Sequence, residues 1–235
     1  MLNQQEQRST LTPCYLFLSS FFITTLLLSN IVAGKMATFF GVTLPAAVFL
    51  FPLTYITGDI LTEVYGFKQA RFTIWLGLFA NIFMALVFAL TLALPYPEFW
   101  QAQPAYRTVL GTTPRLVAAS IAAYFVGELI NAVLLSKLKV KTKGRWLWLR
   151  TIASTIVGEG IDTFLFITVA FFGTMPQTVL WALMLAQYLW KVAYEIAVTP
   201  LTYVVVRWIK RREQLDVFDY DVEYNPFSLN WRRDK

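Results

Sequence analysis

Six apolar stretches, at roughly 11–33, 44–62, 72–94, 115–136, 151–173 and 178–208, constrain this chain more than any other feature. A helix rises about 1.5 Å per residue, so about 20 residues cross a hydrocarbon core about 30 Å thick. Each stretch is long enough to do so. The whole chain of 235 residues is 57% hydrophobic and 14% charged, where soluble domains are about 45–50% apolar and about 25% charged. The expected fold class is therefore an all-α integral membrane protein with six transmembrane helices. The first stretch is too long, and too poorly followed by a small-residue cleavage site, for a removed signal peptide. It reads as an anchor that stays.

Charge sets the orientation. The net charge is +6, but the basic residues flank apolar runs instead of alternating with aromatics in a polar domain, so no nucleic-acid partner is expected. Arg8, then Lys68 and Arg71, then Lys137, Lys139, Lys141, Lys143, Arg145 and Arg150, then Arg207, Lys210, Arg211, Arg212, Arg232, Arg233 and Lys235 make 16 of the 20 Lys and Arg. All of them lie on the side that carries both termini. Lys35, Arg107 and Arg115 lie opposite, and Lys191 lies inside the last span. This bias makes both termini cytoplasmic. Tyr15, Trp75, Trp146, Trp148 and Trp208 stand near span ends, as interfacial aromatics do. Residues 1–212 read as the membrane domain. The polar stretch 213–235 reads as a cytoplasmic tail, packed on that domain or else disordered.

The costly residues are the acids within the spans. Glu159 lies about 12 Å in from the cytoplasmic end of its span and Asp162 about 17 Å in, both central in the bilayer. Glu128 and Lys191 reach a similar depth, about 20 Å along their own spans. An ionisable group at mid-membrane costs about 2.5–3.5 kcal/mol on insertion scales and usually faces a cavity or a partner. Glu159 and Asp162, three apart, share a helix face without a basic neighbour on their own helix. Lys191 and Glu195, four apart, read either as a self-neutralising pair or as part of a site. Asp59 and Glu63 share a face near the cytoplasmic end, where solvation is the competing reading. Asn30, Asn81, Asn131 and Gln187 suit interhelical bonding. Three of the acids follow a glycine, in Gly58-Asp59, Gly127-Glu128 and Gly158-Glu159. Small residues of this kind permit close helix approach.

Several chemistries compete for these groups. Carboxylates at mid-membrane suit a transporter of protons, cations or ligands with adjacent N–H donors, such as the guanine-type edge of a purine. An intramembrane aspartyl protease is disfavoured, because Ile161 interrupts the glycine pattern before Asp162. There is no histidine and no nucleophile elbow. A vitamin-binding membrane subunit driven by a separate ATPase is the alternative, since the chain has no phosphate-binding loop of its own. No cofactor is expected. The sequence does not set the oligomeric state, and a homodimer is compatible with it.

The stretches FPLTYITGDILTEVYGFKQAR (51–71), AAYFVGELINAVLLSKLK (122–139) and RTIASTIVGEGIDTFLF (150–166), with Ser29-Asn30 and the Lys191–Glu195 segment, resemble the queuosine precursor transporter family, also called the vitamin uptake transporter family. Asn225-Pro226-Phe227 in the tail is similar to many members. The resemblance implies a six-helix protein of the bacterial inner membrane that works without a dedicated ATPase. Its substrates would be 7-deazaguanine precursors of queuosine: the 7-cyano base, the 7-aminomethyl base or queuine. It implies a substrate site drawn from Asn30, Asp59, Glu128, Arg150, Ser154, Glu159, Asp162, Lys191 and Glu195, with Asp162 ahead of Glu159 as the essential acid.

Reporter fusions placed after Arg212 are expected to be active only as cytoplasmic reporters. Activity confined to the other side would overturn the orientation.

Overall fold

All six apolar stretches form helices. The computed structural model describes residues 12–39, 42–111, 114–174, 176–220 and 222–228. Its long helices are α1 (Pro13–Val32), α2 (Phe51–Tyr65), α3 (Phe67–Ala93), α5 (Pro114–Lys141), α6 (Leu147–Phe171) and α7 (Gln177–Glu213), with a short α4 (Gln103–Leu110) between α3 and α5. A 3-10 turn at Ala46–Phe49 leads into α2 and completes its span. Among the described residues, six helices are thus long and apolar enough to cross a membrane. Phe79, Phe83, Leu86 and Leu90 on α3 recur at helical spacing and stand exposed. That outward apolar stripe suits lipid and would be an aggregation surface in water.

Local signals explain the helix ends. Thr12 caps α1 by accepting the Tyr15 N–H at 3.2 Å, and Pro13 opens the helix where no N–H is needed. The connection between α2 and α3 is Gly66 alone. Its φ of +84° lets α2 turn into α3 within one residue, so Lys68 and Arg71 lie on α3 itself. The α5–α6 connection is short as well, with Lys137, Lys139 and Lys141 on α5 and Arg150 on α6. Arg8, Arg232, Arg233 and Lys235 lie outside the described residues. The α2–α3 and α5–α6 junctions, the start of α1 and the end of α7 meet at one end of the bundle, the basic end. At the opposite end two four-residue strands, β1 (Met36–Phe39) and β2 (Val42–Pro45), pair antiparallel after α1. The hairpin was not expected, because four-residue strands are too short to display an alternating period.

Two readings of single residues change. Tyr15 is not an interfacial anchor. It is 2% exposed, and its hydroxyl lies 3.3 Å from the Gln69 carbonyl and 3.1 Å from the Thr73 hydroxyl, between α1 and α3. Glu63 is not solvated either, at 1% exposed. Its Oε1 accepts from Arg150 Nη2 at 2.8 Å and Lys210 Nζ at 2.6 Å. Lys139 Nζ donates to the Glu63 backbone carbonyl, to Asp216 Oδ1 at 2.5 Å and to the Val217 carbonyl at 2.6 Å. Four elements are tied to one residue.

The chain after α7 crosses this end as a strap. Asp219 Oδ2 accepts the Phe67 N–H at 2.9 Å and the Ser136 hydroxyl at 2.6 Å, capping α3 from outside its own sequence. Arg71 donates to the Asn225 carbonyl at 2.6 Å and the Trp75 indole to the Pro226 carbonyl at 2.8 Å. Burial works to raise the Asp216 carboxyl. The hydrogen bonds and charges of Lys139 and Lys210 outweigh it and hold the group below its ordinary range. The stability this contributes is complete above the ordinary carboxyl range and is lost as pH falls through the lowered value.

Glu63→Gln leaves Arg150 without its buried counter-charge, while Lys210 keeps Asp216 at 2.9 Å, and is expected to destabilise by about 3–5 kcal/mol. Asp219→Ala removes a cap and should cost about 0.5–2 kcal/mol, with Asp219→Asn costing less because an acceptor remains. Thermal melts of the purified protein in detergent check both.

Candidate substrate site

The closest helix pair brings the site together. α5 and α6 cross at Gly127 and Gly158, where a Cβ on either glycine would lie 3.0 or 3.1 Å from the other's carbonyl oxygen. A Cβ on Gly127 would also meet the Tyr55 hydroxyl and the Asp162 Cβ, each at 2.8 Å. At Gly58 on α2 a Cβ would run into the Glu128 carboxyl. Each of the three glycines noted in the sequence therefore makes room for a polar group on a neighbouring helix.

Around that crossing lie five carboxyl groups and one ammonium, all buried: Asp59, Glu128, Glu159, Asp162 and Glu195 with Lys191. Lys191 Nζ donates to Glu159 Oε2 at 2.6 Å and to Asp162 Oδ2 at 2.5 Å. Asp59 Oδ1 accepts from Asn131 Nδ2 at 2.7 Å. The same ammonium lies 5.5 Å from the Phe51 ring centroid and 6.0 Å from that of Tyr55. Glu128 is within electrostatic range of the other four acids.

Much hydrogen-bonding capacity is unspent. Both oxygens of Glu128, Asp59 Oδ2, Glu195 Oε1, Asn131 Oδ1 and the hydroxyls of Tyr55, Thr155 and Thr163 have no partner. A buried polar atom left unpaired costs about 1–3 kcal/mol, more when charged. Such a concentration in one place marks a site for something polar and not a finished core.

The nine residues proposed from the sequence do not all meet here. The structure gathers Asp59, Glu128, Glu159, Asp162, Lys191 and Glu195 about the glycine crossing. Lys191 takes its partners from α6 and not from Glu195, so the same-helix pair is corrected: spacing made them neighbours, but two acids across the interface offer the ammonium shorter bonds. Arg150 sits apart, in the Glu63 cluster. Ser154 donates to the Thr151 carbonyl at 2.9 Å, within its own helix. Asn30 belongs to a separate polar contact, donating to Asn81 Oδ1 at 2.8 Å and accepting from Ser120 at 2.8 Å. Asp59, for which solvation was a competing reading, is 1% exposed.

Sequence reasoning missed Phe51 and Tyr55. Their signal was available: Phe51, Tyr55, Asp59 and Glu63 recur every four residues on α2, and residues at that spacing line one helix face.

Three curated proteins are similar to the chain. "Probable queuosine precursor transporter" of Bacillus subtilis (strain 168) is 28% identical over 187 residues, 79% of this chain and 82% of the relative. "Queuosine precursor transporter" of Escherichia coli (strain K12) is 28% identical over 66% of this chain and 67% of the relative. A third, "Probable queuosine precursor transporter" of Haemophilus influenzae, is 26% identical over 70% of this chain and 69% of the relative. No solved structure matches the chain. Residues 45–205 match the family described as "Putative vitamin uptake transporter", well over half of the chain, and the protein belongs to that family.

Proposed function

We propose that the protein imports 7-deazaguanine precursors of queuosine across a bacterial inner membrane, with its basic end facing the cytoplasm, and that it acts as a transporter and not as an enzyme. The observation that carries this reading is the unsaturated carboxyl cluster at mid-membrane depth, in a chain whose similar proteins are named queuosine precursor transporters.

The chemistry fits that substrate class. A guanine-type edge presents adjacent N–H donors, and a carboxylate accepts two parallel N–H bonds at once. Asp162 and Glu159 supply such oxygens on one helix face, while Glu128 and Asp59 keep free oxygens for a second group such as an aminomethyl cation. Guanine shares the edge but carries a ring acceptor at the seven position in place of a substituted carbon. Discrimination then falls to groups that meet the seven-substituent. A site built to hydrogen-bond a substituent rejects an analogue lacking it far more strongly than an apolar slot does.

A thermal-shift screen of the purified protein tests the reading, because a ligand that binds only the folded state stabilises it by RT ln(1 + [L]/Kd). The 7-cyano and 7-aminomethyl bases are expected to raise the melting temperature, with guanine and adenine raising it less. No shift with any deazapurine, or an equal shift with guanine, would remove the substrate assignment. Asp162→Asn keeps the size of the side chain but replaces an acceptor by donors, and uptake should fall about tenfold or more, the scale of one buried charge-assisted hydrogen bond. Uptake into proteoliposomes in the absence of nucleotide separates a self-sufficient transporter from a binding subunit that needs an ATPase.

A further inference from the structure

Lys191 stands where the proposed function places a ligand's donors. Its Nζ satisfies Glu159 Oε2 and Asp162 Oδ2 together, at 2.6 and 2.5 Å. The same ammonium lies over the rings of Phe51 and Tyr55, 5.5 and 6.0 Å from their centroids and one helical turn apart on α2. Carboxyl oxygens and aromatic faces together form the surroundings a flat, donor-bearing base requires: its edge meets the acids and its face meets the rings. One turn further along α7, on the face that carries Lys191, Glu195 Oε1 has no partner and the residue is 2% exposed. The Tyr55 hydroxyl, also unpartnered and 2% exposed, points to the same contact of Gly127 and Asp162.

We propose that Lys191 is a tethered stand-in for the substrate: an incoming base takes over Glu159 and Asp162, and the lysine ammonium passes to Glu195. The identity of the base rests on the proposed function; the transfer itself does not.

Three physical points support the transfer. Lysine carries its charge as a compact ammonium with three donors on a flexible four-carbon stem, so it can hold two acids and still be released. A carboxylate four residues away on the same helix is within its reach. The ammonium also stays paired at both stations, which avoids the strongly unfavourable state of a lone buried charge. The device would set a threshold for substrates as well. A ligand with too few donors would displace the lysine without replacing both of its bonds, leaving an acid unpaired. With the ammonium gone from their faces, Phe51 and Tyr55 become a stacking surface.

The transfer can be tested without any ligand. Glu159→Gln with Asp162→Asn removes both acids that hold Lys191, and this double variant should fold because Glu195 receives the ammonium. Adding Glu195→Gln to it should lower the melting temperature by about 5 °C or more, since a buried lysine then lacks a counter-charge. The same Glu195→Gln change in the otherwise unaltered protein should shift melting by less than about 2 °C, because there Lys191 is held elsewhere. Complete loss of folding in the triple variant alone would be the same result in stronger form. Equal effects of Glu195→Gln in both backgrounds, or a double variant that fails to fold while Glu195→Gln alone folds, would overturn the transfer. In a second arm, Glu195→Gln should weaken binding of the 7-cyano base, which carries no cation of its own, about tenfold, measured calorimetrically, and unchanged affinity would count against the transfer. If the melting cycle succeeds and no base stabilises the unaltered protein, it is the substrate assignment that has failed.

Discussion

The backbone-to-backbone crossing of α5 and α6 at Gly127 and Gly158 is the contact on which the candidate site is built. In a bilayer, helices gain little from hiding apolar side chains from one another, because lipid is equally apolar. They associate through close packing and polar contacts instead, and small residues permit both. Here the two glycines admit Asn131, Asp162 and the Tyr55 hydroxyl to one small volume, and Gly58 admits Glu128 beside them. A methyl group at any of the three positions would push a polar group out of register.

Two buried polar clusters share α2, and they differ in how completely they are satisfied. At the basic end Glu63 meets Arg150 and Lys210, while Lys139 is held by the Glu63 carbonyl, Asp216 and Val217. Arg150 Nε and Glu63 Oε2 are the atoms left over there, every charged group still has an opposite charge beside it, and the strap after α7 crosses the end. One turn away on α2, Asp59 enters a cluster where carboxyl groups outnumber the one ammonium and many oxygens are unpaired. A satisfied network rigidifies a core, whereas a partly satisfied one is unfavourable unless something completes it. The first cluster suits a fixed closure and the second a place for a ligand.

In the proposed site, depth of burial would sharpen selectivity. Glu128, Asp59 and Glu159 are all at or below 1% exposed. Interactions there act in a low effective dielectric, where both the gain from a correct hydrogen bond and the penalty of a missing one are larger than in water. A donor-rich heterocycle benefits from the same surroundings that would penalise a purely apolar solute.

Much of this was legible in the sequence. The six spans follow from apolar length, because bilayer thickness fixes how many helical residues are needed. The depth of Glu128, Glu159, Asp162 and Lys191 follows from the constant rise of a helix. Helical spacing also put Phe51 and Tyr55 on the face of Asp59, although that signal went unread. What spacing along one helix cannot give is the partner on another. It left Lys191 and Glu195 either a self-neutralising pair or part of a site, whereas packing of α7 against α6 gives the ammonium to Glu159 and Asp162. The family resemblance likewise placed Arg150 and Ser154 in one site with Asp162. In the fold, Arg150 turns to Glu63 at the basic end and Ser154 bonds within its own helix. The strap and the Asp219 cap on α3 join residues about 150 positions apart. Local propensity determines which segments become helices and how deep each residue lies. Only tertiary packing decides which helix faces meet, and a buried charge is bonded by the face it meets.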